Sequence, residues 1–208
     1  MDKLRKELAR AIAKGDVNAI AQFRRDHEKL PSLEGETFEN VALTGVDFSG
    51  LDLTNTEWSS CILERVRFRS VELEGAYFRS STFLDTTFEK SRMTSTAIDG
   101  SVFRGCTFRE LTIEEAEWTG ADFQHSDFID VVFEEPELDS VTFNGGSLNA
   151  VRVEGGSFNA VTLREVIQEG FTLDGTELSA CSGSGELPPG FKPLSGRRRV
   201  VAPTGSRR

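Results

Sequence analysis

Residues 41–60 read VALTG VDFSG LDLTN TEWSS, and every fifth residue, Leu43, Phe48, Leu53 and Trp58, is large and apolar. The spacing runs on without a gap in both directions, from Leu33 to Leu178. Blocks of five beginning at Pro31 therefore have 30 third positions, and all except Gln168 are large and apolar. First positions are small or β-branched almost throughout, as at Val41, Val46, Cys61, Val66, Ala76, Ser81, Ala116, Ala121 and Val161. Eleven of the 13 Gly within 31–180 fall at the fifth position, where a turn can require positive φ. So long a match at one fixed spacing marks an internal repeat.

A period of five is neither the helical 3.6 nor plain strand alternation. Within a block, however, the first and third residues point inward as in a strand, and the fourth and fifth turn a corner. Four corners close a square coil, and stacked coils pair backbone to backbone at about 4.8 Å. Residues 20 apart then form columns. One column reads Phe48, Phe68, Phe88, Phe108, Phe128 and a second Phe83, Phe103, Phe123, Phe143, while Trp58 and Trp118 share a third. These are core ladders rather than a cofactor box. The chain has 16 Phe and one Tyr, and 13 of the Phe sit at third positions. Such a chain wants rings with no polar handle, fully inside.

Blocks such as VDFSG (46–50), LDLTN (51–55) and ADFQH (121–125) make residues 31–180 resemble the pentapeptide-repeat proteins. The resemblance implies an all-β solenoid, a right-handed quadrilateral β-helix with four pentapeptides per turn. The 150 residues of 31–180 then make about 7.5 coils and a rod of about 36 Å. Gln168 interrupts the first Phe column and calls for a bulge or a bonded amide. Phe171 is a large residue in a small slot, where it can repack the core beside it. Pro136, in an inward slot, is expected to remove one ladder donor.

The ends differ from the rod. Residues 1–30 are expected to form a helical cap. Leu4, Leu8, Ala11 and Ile12 make one apolar stripe, Gly15 breaks the helix, and Asp16 caps a second helix carrying Val17, Ile20 and Phe23 that runs to Pro31. Its tasks can be to cover the first coil or to bind a partner. After Ala180 the register is lost. Residues 181–208 are expected to plug the last coil with Leu187 and Phe191 and, from Ser195, to be a disordered basic tail. Arg197, Arg198 and Arg199 are either solvated or able to touch nucleic acid or the acidic rod of another molecule.

No catalytic, metal or cofactor site is predicted. His27 and His125 have no partners that make a triad or a metal set. Cys61, Cys106 and Cys181 occupy inward slots, where Cys acts as a buried hydrophobe, and three Cys make no disulfide framework. Paired carboxylates are plentiful, but a convex rod is expected to offer no pocket that shifts their pKa values. No apolar run is long enough to span a membrane. The start of the chain has no apolar segment of a secretory signal, so a reducing cytoplasm is expected.

The outward charges are uneven. Residues 31–63 carry six acids and no base, residues 64–109 carry eight bases and six acids, and residues 110–151 carry eleven acids and neither Lys nor Arg. The net charge of −10 therefore hides a rod of −18 between a +3 cap and a +5 tail. The base-free belt comprises Glu110, Glu114, Glu115, Glu117, Asp122, Asp127, Asp130, Glu134, Glu135, Glu137 and Asp139. Positions 20 apart place Glu114, Glu115, Glu134 and Glu135 on one face and Glu117, Glu137 and Asp139 on the next. Such clustering is either a solubility device against edge-to-edge stacking or a platform for a basic protein partner.

The resemblance implies a sharper version. Some pentapeptide-repeat proteins are similar in shape and charge to duplex DNA, occupy the DNA-binding groove of type II topoisomerases such as DNA gyrase, and protect bacteria from topoisomerase poisons. This sequence departs from them in its helical start, in lacking a dimerising C-terminal helix, in its unbroken register, and in a mixed middle around Arg65, Arg67, Arg69 and Arg79. The expectation is a non-catalytic interaction rod, monomeric or weakly dimeric, with the duplex mimic as the alternative. On charge, the rod itself is not expected to bind nucleic acid.

Overall fold

The computed structural model describes residues 2–194. The tail from Ser195, with Arg197, Arg198 and Arg199, lies outside the described residues.

Two helices open the chain, α1 (Asp2–Ala13) and α2 (Val17–Asp26). Asp16 caps α2 by accepting the Ala19 N–H at 2.9 Å, as its type and place predict. The helical expectation to Pro31 overshoots. α2 stops at Asp26 because His27 is extended, its backbone N–H donates to the Phe23 carbonyl, and its ring stacks on Phe23 at 4.2 Å. Leu8, Ile12, Ile20 and Phe23 are buried in the same apolar cluster as the rod core. Arg5 bonds Glu36 at 2.7 Å, and Arg24 donates to the Ser49 carbonyl at 3.0 Å, so each helix is pinned to the first coil.

The rod is a β-solenoid of about seven turns. Strand pairing is parallel with a constant offset of 20 residues, as in Phe38↔Trp58, Leu43↔Leu63 and Phe68↔Phe88. Each coil has four faces. The first carries the column beginning Leu33, Leu53, Leu73; the second, Phe38, Trp58, Phe78; the third, Leu43, Leu63, Phe83; the fourth, Phe48, Phe68, Phe88. The second face is one eight-stranded sheet. The sequence columns are observed as stacked rings. Phe88, Phe108 and Phe128 lie nearly parallel, with centroids 4.9 and 4.5 Å apart, and Phe83, Phe103 and Phe123 follow at 4.5 and 4.8 Å. Rings of neighbouring columns meet edge to face, as Phe108 and Phe123 do at 78°.

All 30 fifth positions have positive φ, 11 of them Gly and 19 not. The corner therefore imposes left-handed backbone on Ser, Asp, Glu, Asn, Lys, Arg, His and Ala alike. The strain at each such residue is outweighed by two ladders that share the corner, such as Asn40 N–H to the Ser59 carbonyl and Ile62 N–H to the Val41 carbonyl.

First-position N–H groups stay out of the ladder: those of Glu36, Thr56 and Ala76 close turns onto the Leu33, Leu53 and Leu73 carbonyls, and others point inward. Cys61 N–H donates to Ser81 Oγ at 3.0 Å, Val71 N–H to Ser91 Oγ at 3.1 Å, and Cys106 N–H to Ser126 Oγ at 3.1 Å. Buried hydroxyls in the small slot are thus hydrogen-bonded at each of these sites. The expected loss at Pro136 is corrected for the same reason. The ladder passes on both sides of it, with Glu137 N–H to the Ala116 carbonyl at 2.8 Å and Ser157 N–H to the Pro136 carbonyl at 2.7 Å.

One buried donor lacks what its counterpart has. Trp58 Nε1–H donates to Thr56 Oγ1 at 3.1 Å, whereas Trp118 Nε1, three coils on, has no partner because Ala116 stands where Thr56 does. Thr fits this column, since Thr56 and Thr96 are fully buried in it. Ala116→Thr is expected to stabilise the rod by about 1 kcal/mol. Denaturant unfolding checks this, and a lowered midpoint would refute it.

At the C-terminal end the register outlasts the expected limit at Ala180. Cys181 is buried, and Ser182–Gly183 pairs with Thr162 and Leu163. Gly183 leaves its third position empty, and the Leu187 side chain lies where a Cβ there would point. Phe191 is buried, and Lys192–Pro193 pairs onto Ser182–Gly183. Phe171, Leu173 and Leu178 are only partly buried, so the last coil is open on other faces. Gln168 keeps its register with Leu148 and is bonded, not bulged: its Nε2 donates to the Glu186 carbonyl at 2.7 Å.

Candidate functional site

Corner geometry changes along the rod. Between the first and second faces, the early coils close with tight turns, Glu36 N–H to the Leu33 carbonyl, Thr56 N–H to the Leu53 carbonyl and Ala76 N–H to the Leu73 carbonyl. From Leu111 onward the first face runs as strand, within Thr107–Glu114, Asp122–Glu134, Arg152–Glu154 and Thr172–Asp174. The same corner opens there into a groove of about 660 Å³ lined by Glu115, Glu117, Glu135, Glu137, Glu177, Ser157, Gly155, Gly156 and Gly175. The rod is locally concave here, because three glycines bring no side chain to the corner.

The groove draws on four coils. Glu117 and Glu137 are register partners on the second face, and Glu115 N–H donates to the Glu134 carbonyl at 2.8 Å. Glu135 lies back over the glycine pair, its Oε2 accepting the Gly156 N–H at 3.0 Å. No Lys or Arg lines the groove. Among the described residues Glu115, Glu117, Glu134, Glu137 and Asp130 have no side-chain bond or ion pair, so their charges face solvent.

Other belt members are placed differently. Glu110 pairs with Lys90 at 3.3 Å, because the base 20 residues earlier sits on the adjacent coil. Glu114 Oε2 accepts from Thr94 Oγ1 at 3.3 Å. Asp127 accepts from Ser147 Oγ at 2.7 Å and Asp139 from Asn159 Nδ2 at 2.9 Å. Asp122 accepts from Gln124 Nε2 at 2.7 Å, with its Oδ1 buried and unpartnered. The eleven acids therefore do not share one groove. The structure gathers four of them and adds Glu177, which sequence reasoning left outside the belt. The signal was present: Gly155 and Gly156 lie 20 residues after Glu135 and Pro136, and Gly175 and Glu177 lie 40 after Glu135 and Glu137.

The thiols are buried and free. Burial pushes Cys106 up to about 12 and raises Cys61 and Cys181, so none is poised as a thiolate nucleophile. His125 is exposed at a corner and His27 ends α2. Among the described residues no group of three or more His, Cys, Asp or Glu is arranged to hold a metal ion, and no helix is long and apolar enough to cross a membrane.

Known proteins resemble this chain in sequence pattern and in fold. The model of the Pentapeptide repeat region matches residues 41–118 and 61–143. Full-length QnrB1, a plasmid-mediated fluoroquinolone resistance protein, superposes with a TM-score of 0.50 at 23% identity, covering 70% of this chain and 85% of that one. A trypsin-treated variant of the same protein gives 0.50 at 24%, with 70% and 83% covered. Rfr23, a pentapeptide repeat protein from the cyanobacterium Cyanothece 51142, gives 0.40 at 17%, with 71% and 86% covered. No curated protein matches the sequence. At these identities the structural likeness speaks for the fold alone, and together with the family model it establishes that the chain belongs to the pentapeptide-repeat family.

Proposed function

We propose that this protein is a non-catalytic interaction rod whose acidic corner binds a protein partner with a basic surface. One observation carries the reading: Glu115, Glu117, Glu135, Glu137 and Glu177 line a single groove with no base among the lining residues. Like charges gathered along neighbouring coils repel one another, and an oppositely charged partner relieves that repulsion. The rod needs no cofactor for this, acts in the cytoplasm, and is monomeric or weakly dimeric.

Replacing Glu115, Glu117, Glu135 and Glu137 together by Lys is expected to weaken capture of the partner at least about tenfold at low salt. Raising salt to about 0.5 M should weaken the wild type similarly, because the screening length falls to a few ångströms. Affinity capture from the source cells at both salt concentrations, with wild type and variant, checks this. Equal capture by both proteins at low salt would leave the acidic corner as a solubility device.

A second reading is the duplex mimic that binds DNA gyrase and protects it from inhibitors. The acidic corner runs parallel to the rod axis over several coils, as phosphates line a duplex, and QnrB1 shares the fold. In a supercoiling assay with a fluoroquinolone, wild-type protein at micromolar concentration should restore activity, and the four-Lys variant should not. No effect of the wild type would sink this version and leave the first.

A further inference from the structure

The N-terminal helices present the opposite charge. The exposed stripe of α1 carries Lys3, Lys6 and Arg10 and continues to Lys14 just past its end, about one base per helical turn, with Glu7 at its margin. It forms one wall of a groove of about 760 Å³ between the helices. The other wall, formed by α2 and its cap, carries Asp16 and Asp26, so an anionic partner is confined to the α1 side. α1 is held to the rod by its other side, through Arg5 to Glu36 and through buried Leu8 and Ile12. Lys3, Arg10 and Lys14 make no bond to the rod.

We infer that the basic stripe of α1 docks into the acidic corner groove of a second copy of this chain. The inference rests on the reading that the acidic corner is a docking surface, and it names a partner element. Charge is complementary, with four bases and one acid on the stripe against five glutamates and no base in the groove. Lengths also match. Lys3 to Lys14 spans about 16 Å at the helical rise. The groove runs from the coil of Glu117 to that of Glu177, three coil steps or about 14 Å. The repeats are also close: the stripe offers a base about every 5.4 Å, and coils about 4.8 Å apart bring Glu115 and Glu117, then Glu135 and Glu137, and, past the coil of Gly155 to Ser157, Glu177. A helix laid along the corner therefore drifts against the coils by only about 2 Å over three steps. Nothing of this pairing is available within one copy, because α1 is fastened to the first coil and the groove lies in the last four.

Sedimentation velocity of the full chain tests the inference. At about 20 mM salt the weight-average mass should rise with concentration up to about 100 µM, and at about 300 mM it should return to that of the monomer. The triple variant Lys3→Glu, Arg10→Glu, Lys14→Glu should stay monomeric at both. So should the variant with Lys at 115, 117, 135 and 137. An equimolar mixture of the two should associate again, since the reversed stripe then meets the reversed corner. Circular dichroism should show both variants folded. A chain that stays monomeric at low salt overturns the inference, and so does association that survives in either variant. A duplex DNA that binds the wild type but not the stripe variant, with the chain monomeric, would assign the stripe to nucleic acid instead. Capture of a basic partner by a chain that does not self-associate ends this inference and leaves the acidic-corner reading intact; loss of both ends both.

Discussion

Phe108→Ala is expected to destabilise the rod by about 3–5 kcal/mol. Phe108 is fully buried and stacks between Phe88 at 4.9 Å and Phe128 at 4.5 Å, with Phe103 and Phe123 edge-on at 5.7 and 5.6 Å. Truncation removes four ring contacts and leaves a cavity bounded by rigid ladders on neighbouring faces. The backbone cannot collapse into it without breaking the 20-residue register of Phe88↔Phe108↔Phe128. A solenoid is coupled only through nearest neighbours, so weakening one coil also weakens communication between the halves. Trp58 lies before this coil and Trp118 after it, and each is fully buried. Single-tryptophan versions should show coincident guanidinium midpoints in the parent and separated midpoints in Phe108→Ala. A loss under about 1 kcal/mol with coincident midpoints would count against the ladder as the main cohesive element.

Gly156→Ala is expected to cost about 3 kcal/mol or more, from a positive φ combined with a backbone collision. Gly156 has φ +67° at a first position, and a Cβ there would overlap the carbonyl oxygen and nitrogen of Pro136. Neither atom can swing away as the end of a side chain would. Gly175 supplies the control. Its φ is +69°, but the nearest atoms to an added Cβ belong to Gly155 at 3.9 Å, an ordinary contact. Gly175→Ala should therefore cost only the left-handed preference, about 1 kcal/mol. Thermal or denaturant unfolding of the two variants separates the terms; equal losses would show that conformation alone, and not the close approach, requires glycine at 156. Gly156→Ala should also disturb the acidic groove, since the Gly156 N–H holds the Glu135 carboxylate.

These two substitutions fall on opposite sides of what the sequence discloses. Phe108 is legible at once, because a third-position residue repeats its environment every 20 residues and its apolarity reports burial directly. Gly156 is legible only as an exception, one of two glycines outside the fifth-position rule, and its reason is an approach to Pro136 from the previous coil. The same holds for Pro136. Its position suggests a lost ladder bond, yet the ladder at that corner runs through the Glu137 N–H and the Pro136 carbonyl and never uses a first-position N–H, a direction no one-dimensional pattern carries. The acidic belt divides likewise. Composition places eleven carboxylates in a row, but Glu110, Asp127 and Asp139 bond to Lys90, Ser147 and Asn159 of adjacent coils, and the opened corner collects only Glu115, Glu117, Glu135 and Glu137, with Glu177.

By itself, the amino-acid sequence determined the solenoid, its four-block coil, the contents of its Phe and Trp columns and the segregation of its charge. Each of these depends on what recurs at a fixed interval, and an interval is a property of the chain. The tertiary structure alone decided where the rod ceases to be convex, which carboxylates meet there, how Leu187 fills the space left at Gly183, and where α2 stops. Those depend on which atoms of one coil approach which atoms of the next. The distance of approach is set by packing and backbone hydrogen bonds in three dimensions, not by residue type at any single position.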